Sequence, residues 1–528
     1  MISKLILLKA HLELKKYKKK LDDPMAHQQK ILFEILKRNK YTEYGTVFRF
    51  SSIKNFKDYQ KYVPLEDYFQ RIYYFERSFE QDNVLTHDPI VHWVQSTGTS
   101  GDPKILPITQ NDIQNYSEGN SRQFFSYLLD NPENSKALSG KIFTYIGQSR
   151  LNQIRGIPVG YISGIAAERV TNPILLKRLV PSINIVNIEN WKERLWQTTM
   201  DVISQDVTII AGITPMILGF LTTIQTALPF QLEQIQDPKI RTKVQNSIFG
   251  DTIDFKMLWP NLQYLASSGV MVESYKPLIK DLLGDISVFE MYAASEGHYA
   301  FQMHEDDHSL YLNFDNYFFE FRDTEDTSKV YLLNEVKENI PYEMIVTNSS
   351  GLYRYNMHDI VRFTSLDPPK ILIQGRTGNI LNIGNEKVSE DQLAFVISEA
   401  MNTLESSSVD FVLSSTMALP LRHKIYIELA KIPNNPEKKA EQMSIIYDEL
   451  LKRLNTCYDI SRGLEALTQP EIHILKKGSF RKITERKAEK TDRIEHTKIL
   501  HIIQPEKLKK IIDEEMIFYS YVPNEESK

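Results

Sequence analysis

Short apolar runs closed by turn residues alternate with amphipathic stretches up to about residue 365, and no other feature limits the possible folds as much. VTIIAG (Val207 to Gly212), LQYLASSG (Leu262 to Gly269), ISVFEMY (Ile286 to Tyr292), KVYLLNEV (Lys329 to Val336) and EMIVTN (Glu343 to Asn348) read as strands, with helical stretches such as PMILGFLTTIQTAL between some of them. This pattern predicts an α/β fold whose sheets are covered by helices. The chain has 528 residues, more than one compact core usually needs, so at least two domains are expected. SLDPPK (Ser365 to Lys370) reads as a Pro-rich break. Beyond it VDFVLSS, HKIYIELA, the charged helix PEKKAEQMSIIYDELLKRL and EIHIL set up an alternation of their own. The expected division is a large domain over residues 1–376 and a smaller, mobile α+β domain over 377–528.

Lys and Arg number 63 against 68 Asp and Glu, a formal net charge of -5, so no strong field favours nucleic acid or an anionic membrane. The single cysteine, Cys457, excludes an internal disulfide and suits a reducing cytoplasm. The N-terminal MISKLILLKAHLELKKYKKK has too short an apolar run for a signal segment, and its basic residues follow that run. It reads as an amphipathic helix packed on the body. No window approaches the ~20 apolar residues of a membrane span.

HEDDH (His304 to His308) matches the His-Glu-x-x-His zinc pattern. Two adjacent aspartates suit a helix interior poorly, and the flanking apolar alternation reads as strand, acidic turn, strand. The metalloprotease reading is set aside on that ground.

HWVQSTGTSGDPKILPIT (His92 to Thr109) has more chemical content. Glycines let backbone N–H groups converge on an anion, and hydroxyl side chains add donors around the same oxygens. Ser96, Thr97, Gly98, Thr99, Ser100 and Gly101 supply those groups, with Lys104 just beyond Pro103. The sequence is not a Walker A loop, and on composition alone it reads equally as a Gly/Ser surface turn. EMYAASEGHYAFQ puts Tyr292 and Glu296 at the end of an apolar strand, where ligands of open α/β sheets bind. Glu296 suits Mg²⁺, which takes one or two carboxylates beside phosphate oxygens. GLYRYNMHDIVRF (Gly351 to Phe363) puts Arg354 and Asp359 in a turn, and Asp359 suits a pair of ribose hydroxyls. Taken singly, each of these is equally a turn or surface residue.

In this order, STGTSGDPK, YAASEG, GLYRYNMHD and GRTGNILNIGNEKVSE resemble the nucleotide motifs of the auxin-responsive Gretchen Hagen family of acyl acid amido synthetases, a branch of the adenylate-forming enzymes. The resemblance spans roughly residues 20 to 510. It implies ATP-dependent activation of a carboxylic acid to an acyl-adenylate with release of pyrophosphate. Transfer to an amine, in this family usually an amino acid, then forms an amide and releases AMP. By position, Ser96 to Ser100 with Lys104 would bind phosphate, and Ser267, Ser268 and Gly269 would border the adenine and acyl pocket. Tyr292 would lie against adenine. Ala294, Ser295 and Glu296 would meet nucleotide phosphate or Mg²⁺, and Asp359 would hold the ribose. Arg376 resembles a hinge arginine near the ribose, with a hinge salt bridge as the alternative. Lys498 in HTKIL is the best match to the family's catalytic lysine, with Lys487 and Lys490 as rivals. The family usually has Pro and Arg shortly after that lysine, and Ile499 and Leu500 stand here. The first motif departs as well, with Thr97-Gly98-Thr99-Ser100 where Ser-Gly-Thr-Thr is usual. A monomer completes what the resemblance implies, and the cytoplasmic location is the expectation from the single cysteine. An acyl-CoA ligase shares the first half-reaction, and a weakly catalytic carrier or binding protein could keep the fold. The sequence leaves the acyl acid open.

Overall fold

The computed structural model describes residues 2–96, 104–269, 272–376, 380–381, 383, 386, 388–416, 421–455, 458–459, 462, 467–491, 501–503 and 505–523. The chain forms two compact units. The first comprises Met1–Ile213, Trp259–Gly269 and Ile286–Ile373; the second comprises Thr214–Leu258, Val270–Asp285 and Gln374–Lys528.

A twelve-stranded mixed sheet organises the first unit. Its spatial order is Val330–Tyr331, Phe318–Asp323, Pro341–Thr347, Tyr355–Leu366, Pro369–Arg376, Asp307–Leu312, Gly297–His304, Ser287–Ala294, Tyr264–Ser268, Val207–Ile213, Lys141–Tyr145 and Leu179–Val180. From Ser287–Ala294 to Leu179–Val180 the neighbours are parallel. These strands read as near-continuous apolar runs because helices cover parallel sheets on both faces. Beyond Ser287–Ala294 the pairing turns antiparallel. A separate four-stranded sheet carries the hairpin Ile90–Gln95 and Ile105–Thr109.

Helix Gln110–Asp130 packs on Gly297–His304, and Gln123 Nε2 donates to the Phe289 carbonyl at 2.8 Å. The N-terminal helix Ile2–Lys20 buries Ala10, Leu14 and Tyr17 along one face. Tyr17 donates to the Leu312 carbonyl at 2.7 Å. Lys20 and Arg122 both pair with buried Asp315 at 2.6 Å. Burial raises that carboxyl, but Arg122 and Lys20 together leave it below the usual range. A charge so enclosed is tolerable only when paired in this way.

In the second unit Ser408–Ser415, His423–Leu429, Glu471–Leu475 and Ile517–Tyr521 form a four-stranded sheet. Helices Glu390–Thr403 and Pro436–Leu454 pack with it around Leu393, Ile397, Leu413, Ile425 and Tyr447. Among the described residues, no helix is long and apolar enough to cross a membrane.

Two sequence expectations are corrected, the extent of one strand and the turn at Asp359. KVYLLNEV is strand only at Val330–Tyr331 and then turns, because Glu335 folds back to accept the Leu332 N–H at 2.8 Å. The Pro-rich break SLDPPK is the turn between the adjacent strands Tyr355–Leu366 and Pro369–Arg376. Asp359 lies inside the strand Tyr355–Leu366 and not in a turn, while Arg354 immediately precedes that strand. HEDDH is a hairpin, with His304 closing one strand and His308 inside the next. The two histidines therefore do not share a helix face.

Candidate functional site

Residues Tyr264–Ser268 pair in parallel with Val207–Ile213 on one side and Ser287–Ala294 on the other, with Ser268 opposite Ile213 and Met291. The strand Ser287–Ala294 therefore runs three residues past its neighbour, carrying Tyr292 and Ala294 beyond the carboxyl end of the parallel sheet. Gly269 follows Ser268 with φ +82, a left-handed turn that glycine adopts without steric cost. Ser268 Oγ donates to the Gly212 carbonyl at 3.0 Å, joining the two strand ends. Ala294 pairs with Gly297, so Ser295 and Glu296 are the two residues of a tight hairpin turn. Their backbone leaves the sheet at the edge where open α/β folds bind ligands.

Asp359 reaches this edge from the far side of the sheet. Tyr292 donates its hydroxyl to Asp359 Oδ2 at 2.5 Å, and both residues are buried. This contact joins YAASEG to GLYRYNMHD, two stretches the sequence presents separately.

The turn between Pro341–Thr347 and Tyr355–Leu366 ties the remaining pieces together. Asn348 Nδ2 donates to the Glu296 carbonyl at 3.2 Å. Its Oδ1 accepts the N–H groups of Ser350 at 3.0 Å and Leu352 at 3.1 Å. Ser350 Oγ accepts the Thr109 N–H at 2.9 Å and donates to Asp112 Oδ2 at 2.5 Å. Burial pushes the Asp112 carboxyl up, and the hydrogen bonds from Ser350, Ser349 and Asn115 only partly offset that. Gly351 has φ +101, and a Cβ there would stand 2.6 Å from Leu85 Cβ, so glycine is required. Arg354 is occupied structurally: it pairs with buried Glu320 at 2.9 Å and donates to the carbonyls of Gln60 and Val63.

The Gly/Ser-rich loop after Gln95 joins two antiparallel strands, Gln95 facing Ile105. Its base is closed twice. The Ser96 N–H donates to the Lys104 carbonyl at 2.9 Å, and the Lys104 N–H donates to Ser96 Oγ at 3.0 Å. Lys104 Nζ stands 5.9 Å from the centroid of the Tyr68 ring, whose hydroxyl accepts the Ile105 N–H at 3.2 Å.

Thr97, Gly98, Thr99, Ser100 and Lys498 lie outside the described residues. Arg376 ends the strand Pro369–Arg376, and Lys487 and Lys490 belong to helix Ser479–Thr491; their side chains are likewise outside the description. Among the predicted residues, Ser268, Gly269, Tyr292, Ala294, Ser295, Glu296 and Asp359 are gathered at or beside one sheet edge. Asn348, Ser350, Asp112 and Tyr68 were not anticipated. TNSSG carries turn chemistry in plain view, but nothing local says that its asparagine holds Glu296.

Family models match the chain in three successive parts: the GH3 family N-terminal domain over residues 13–248, the GH3 family central domain over 310–376 and the GH3 family C-terminal domain over 391–507. The chain belongs to the GH3 family. Among curated relatives, the indole-3-acetic acid-amido synthetase GH3.4 of Arabidopsis thaliana is 24% identical over 574 aligned positions, covering 95% of this chain and 93% of the relative. The solved GH3.15 acyl acid amido synthetase in complex with 2,4-DB superposes with a TM-score of 0.81 at 20% identity, covering 98% of each chain. A 2-hydroxyisobutyryl-CoA ligase, solved in the postadenylation state with R3-HIB-AMP, has a TM-score of 0.57 at 11% identity over 93% of this chain and 91% of that one. At such identities the structures establish a shared fold.

Among the described residues, no group of three or more His, Cys, Asp and Glu side chains gathers as a metal site. Mg²⁺ takes one or two carboxylates beside phosphate oxygens, the part the sequence reading expects of Glu296.

Proposed function

We propose that this GH3-family chain is an acyl acid amido synthetase that adenylates a carboxylic acid with ATP and passes the acyl group to an amine, an amino acid by class. In the first step a carboxylate oxygen bonds the α-phosphorus while the bond to the β-phosphate bridging oxygen breaks and pyrophosphate leaves. In the second the amine nitrogen attacks the acyl carbon, the bond to AMP breaks, and an amide forms. The carboxylate is a poor electrophile because its charge is delocalised; the mixed anhydride offers AMP as leaving group.

The observation that carries this reading is the Tyr292–Asp359 hydrogen bond at the carboxyl edge of the parallel strands. There Asp359 accepts from ribose hydroxyls with Tyr292 fixing the carboxylate, and Ser268 and Gly269 border adenine and the acid. Ser96 to Ser100 and Lys104 take the triphosphate, the backbone of Ala294 and Ser295 lies beside it, and Arg376 approaches the ribose. Mg²⁺, when bound, neutralises phosphate charge beside Glu296. Lys498 stabilises charge developing around phosphorus, a role in which one electrostatic donor contributes about 10²–10³ in rate.

Residues 1–376 would supply the nucleotide and acid site, and 377–528 a mobile part that brings Lys498 to it and then turns to admit the amine. The protein would work as a cytoplasmic monomer. Pyrophosphate release screened over aryl, indolic and fatty acids, followed by acceptor assays with amino acids and with coenzyme A, tests the reading. Acid-dependent release with amide formation is expected. Thioester formation alone would make it an acyl-CoA ligase, and no exchange with any acid would overturn the enzyme reading.

A further inference from the structure

His358 immediately precedes Asp359 and has φ +65, a left-handed conformation that few residues other than glycine adopt. The cause is a bulge. Ile345 pairs with Asn356 and Glu343 with Ile360, so Met357, His358 and Asp359 stand opposite Met344 alone. Bulges bend a strand and re-aim its side chains, and this one lies where Asp359 meets Tyr292.

The imidazole of His358 lies between two carboxylates from different segments. Nε2 is 3.2 Å from Asp67 Oδ2, and Nδ1 is 3.9 Å from Glu343 Oε1. Asp67 belongs to a segment docked on the start of the strand Tyr355–Leu366: the Glu66 N–H donates to the Arg354 carbonyl, and the Asn356 N–H donates to the Glu66 carbonyl. Buried Glu343 also accepts from Arg322 and from Asn356 Nδ2. The His358 N–H donates to Asn356 Oδ1 at 2.8 Å.

We propose that His358 is a positioning residue for the nucleotide: its imidazolium, bridging Asp67 and Glu343, clamps the bulge that presents Asp359. The inference rests on Asp359 being the ribose carboxylate. The charged groups around the ring are Asp67, Glu66 and its partner Arg71 from the docked segment, Glu343 from Pro341–Thr347, Arg322 from Phe318–Asp323, and Asp359 on its own strand. Glu343 foremost, and Asp67, raise the imidazole above its ordinary 6.5 against partial burial. Asp67 is held below its ordinary 3.8: partial burial raises it, but the Gln70 N–H and His358 outweigh that. A raised histidine stabilises while protonated. The clamp is therefore complete below pH 6.5 and is lost as pH rises through the raised value.

The test is calorimetric ATP affinity at about pH 6 and about pH 9 for wild type, His358→Asn, His358→Gly and Asp67→Asn. Asparagine and glycine both tolerate the left-handed backbone, so the Asn and Gly variants keep the bulge and lose the charge. Wild type should bind ATP about threefold to tenfold more weakly at the higher pH, the scale of a partly exposed ion pair. All three variants should bind at the lower pH as wild type does at the higher, with that difference between pH values largely gone. In turnover, KM for ATP should rise while KM for the acid holds. Variants that keep the wild-type pH slope, or that change both KM values together, overturn the inference. A wild type that binds no ATP at either pH overturns the reading of the site instead.

Discussion

Tyr292 and Asp359 lie 67 positions apart and meet through one hydrogen bond, so the site depends at its smallest scale on a pair that no local pattern links. The sequence offered each residue singly: a tyrosine ending an apolar strand and an aspartate in a polar stretch. Asp359 is expected in a turn between apolar segments, and NMHD shows no strand alternation to contradict it. The bulge at Met357–Asp359 is why, since an irregular strand has no period 2 to read. A hydrogen bond to a charged group contributes about 1.5–3 kcal/mol. Tyr292→Phe should accordingly raise KM for ATP by roughly tenfold or more, while circular dichroism shows the fold intact and KM for the acid stays near wild type. An unchanged KM for ATP would remove Asp359 from the ribose. Lys498→Ala tests the other half of the assignment: acid-dependent pyrophosphate release should fall by about 10²–10³ with ATP binding nearly unchanged by calorimetry. If release persists in that variant but falls in Lys487→Ala or Lys490→Ala, the role moves to that lysine.

At the scale of elements, the strands VTIIAG, LQYLASSG, ISVFEMY and EMIVTN, the helix around PMILGFLTTIQTAL and the HEDDH hairpin were legible, because burial on a sheet or a helix face imposes a period that survives in one sequence. Connections were less legible. The segment Asn348 to Arg354 works as a single element whose side chains tie Glu296 and the hairpin strand Ile105–Thr109 through their backbone, and helix Gln110–Asp130 through the Asp112 carboxylate, and such bonds leave no periodic trace. Asp112 makes this element testable by pH. Its folded carboxyl is raised, chiefly by burial, so its contribution to stability is present below its ordinary 3.8 and is lost as pH rises through the raised value. Asp112→Asn carries no charge to bury. Denaturant melts should show wild type losing stability relative to this variant as pH rises above its ordinary 3.8, and equal pH slopes would mean that Asp112 is accommodated as an anion. Ser350→Ala should cost about 1–3 kcal/mol at either pH, because it strips the Thr109 N–H and Asp112 of a buried partner.

Across the whole chain, the composition and alternation that signalled two domains could not say which residues each would recruit. Thr214–Leu258 and Val270–Asp285 cluster with Gln374–Lys528, although long stretches of the first unit separate them in sequence. A domain boundary read from one chain looks for a change of pattern, and nothing in PMILGFLTTIQTAL marks it as belonging with residues some 150 positions later. The second unit buries polar groups that need those early segments. Tyr275 lies 3.2 Å from His501 Nε2 and 3.4 Å from Asp410 Oδ1, and Ser398 Oγ donates to the Glu273 carbonyl at 3.1 Å. His501 also stacks on Phe411 with ring centroids 4.4 Å apart. A fragment of residues 374–528 alone would lose Tyr275 and Glu273 from these contacts, together with the packing of helix Lys276–Leu283 on Glu390–Thr403 and Ser408–Ser415. Losing buried hydrogen-bond partners and apolar cover at once is among the most destabilising changes available to a small core. The fragment should therefore melt less cooperatively than the full chain, bind a hydrophobic dye, and show fast amide exchange in Ser408–Ser415, the strand that carries Asp410 and Phe411. Appending residues 214–285 through a flexible linker should restore protection there. A fragment of 374–528 that unfolds in one sharp transition with that strand protected would show that the C-terminal region folds without the early segments.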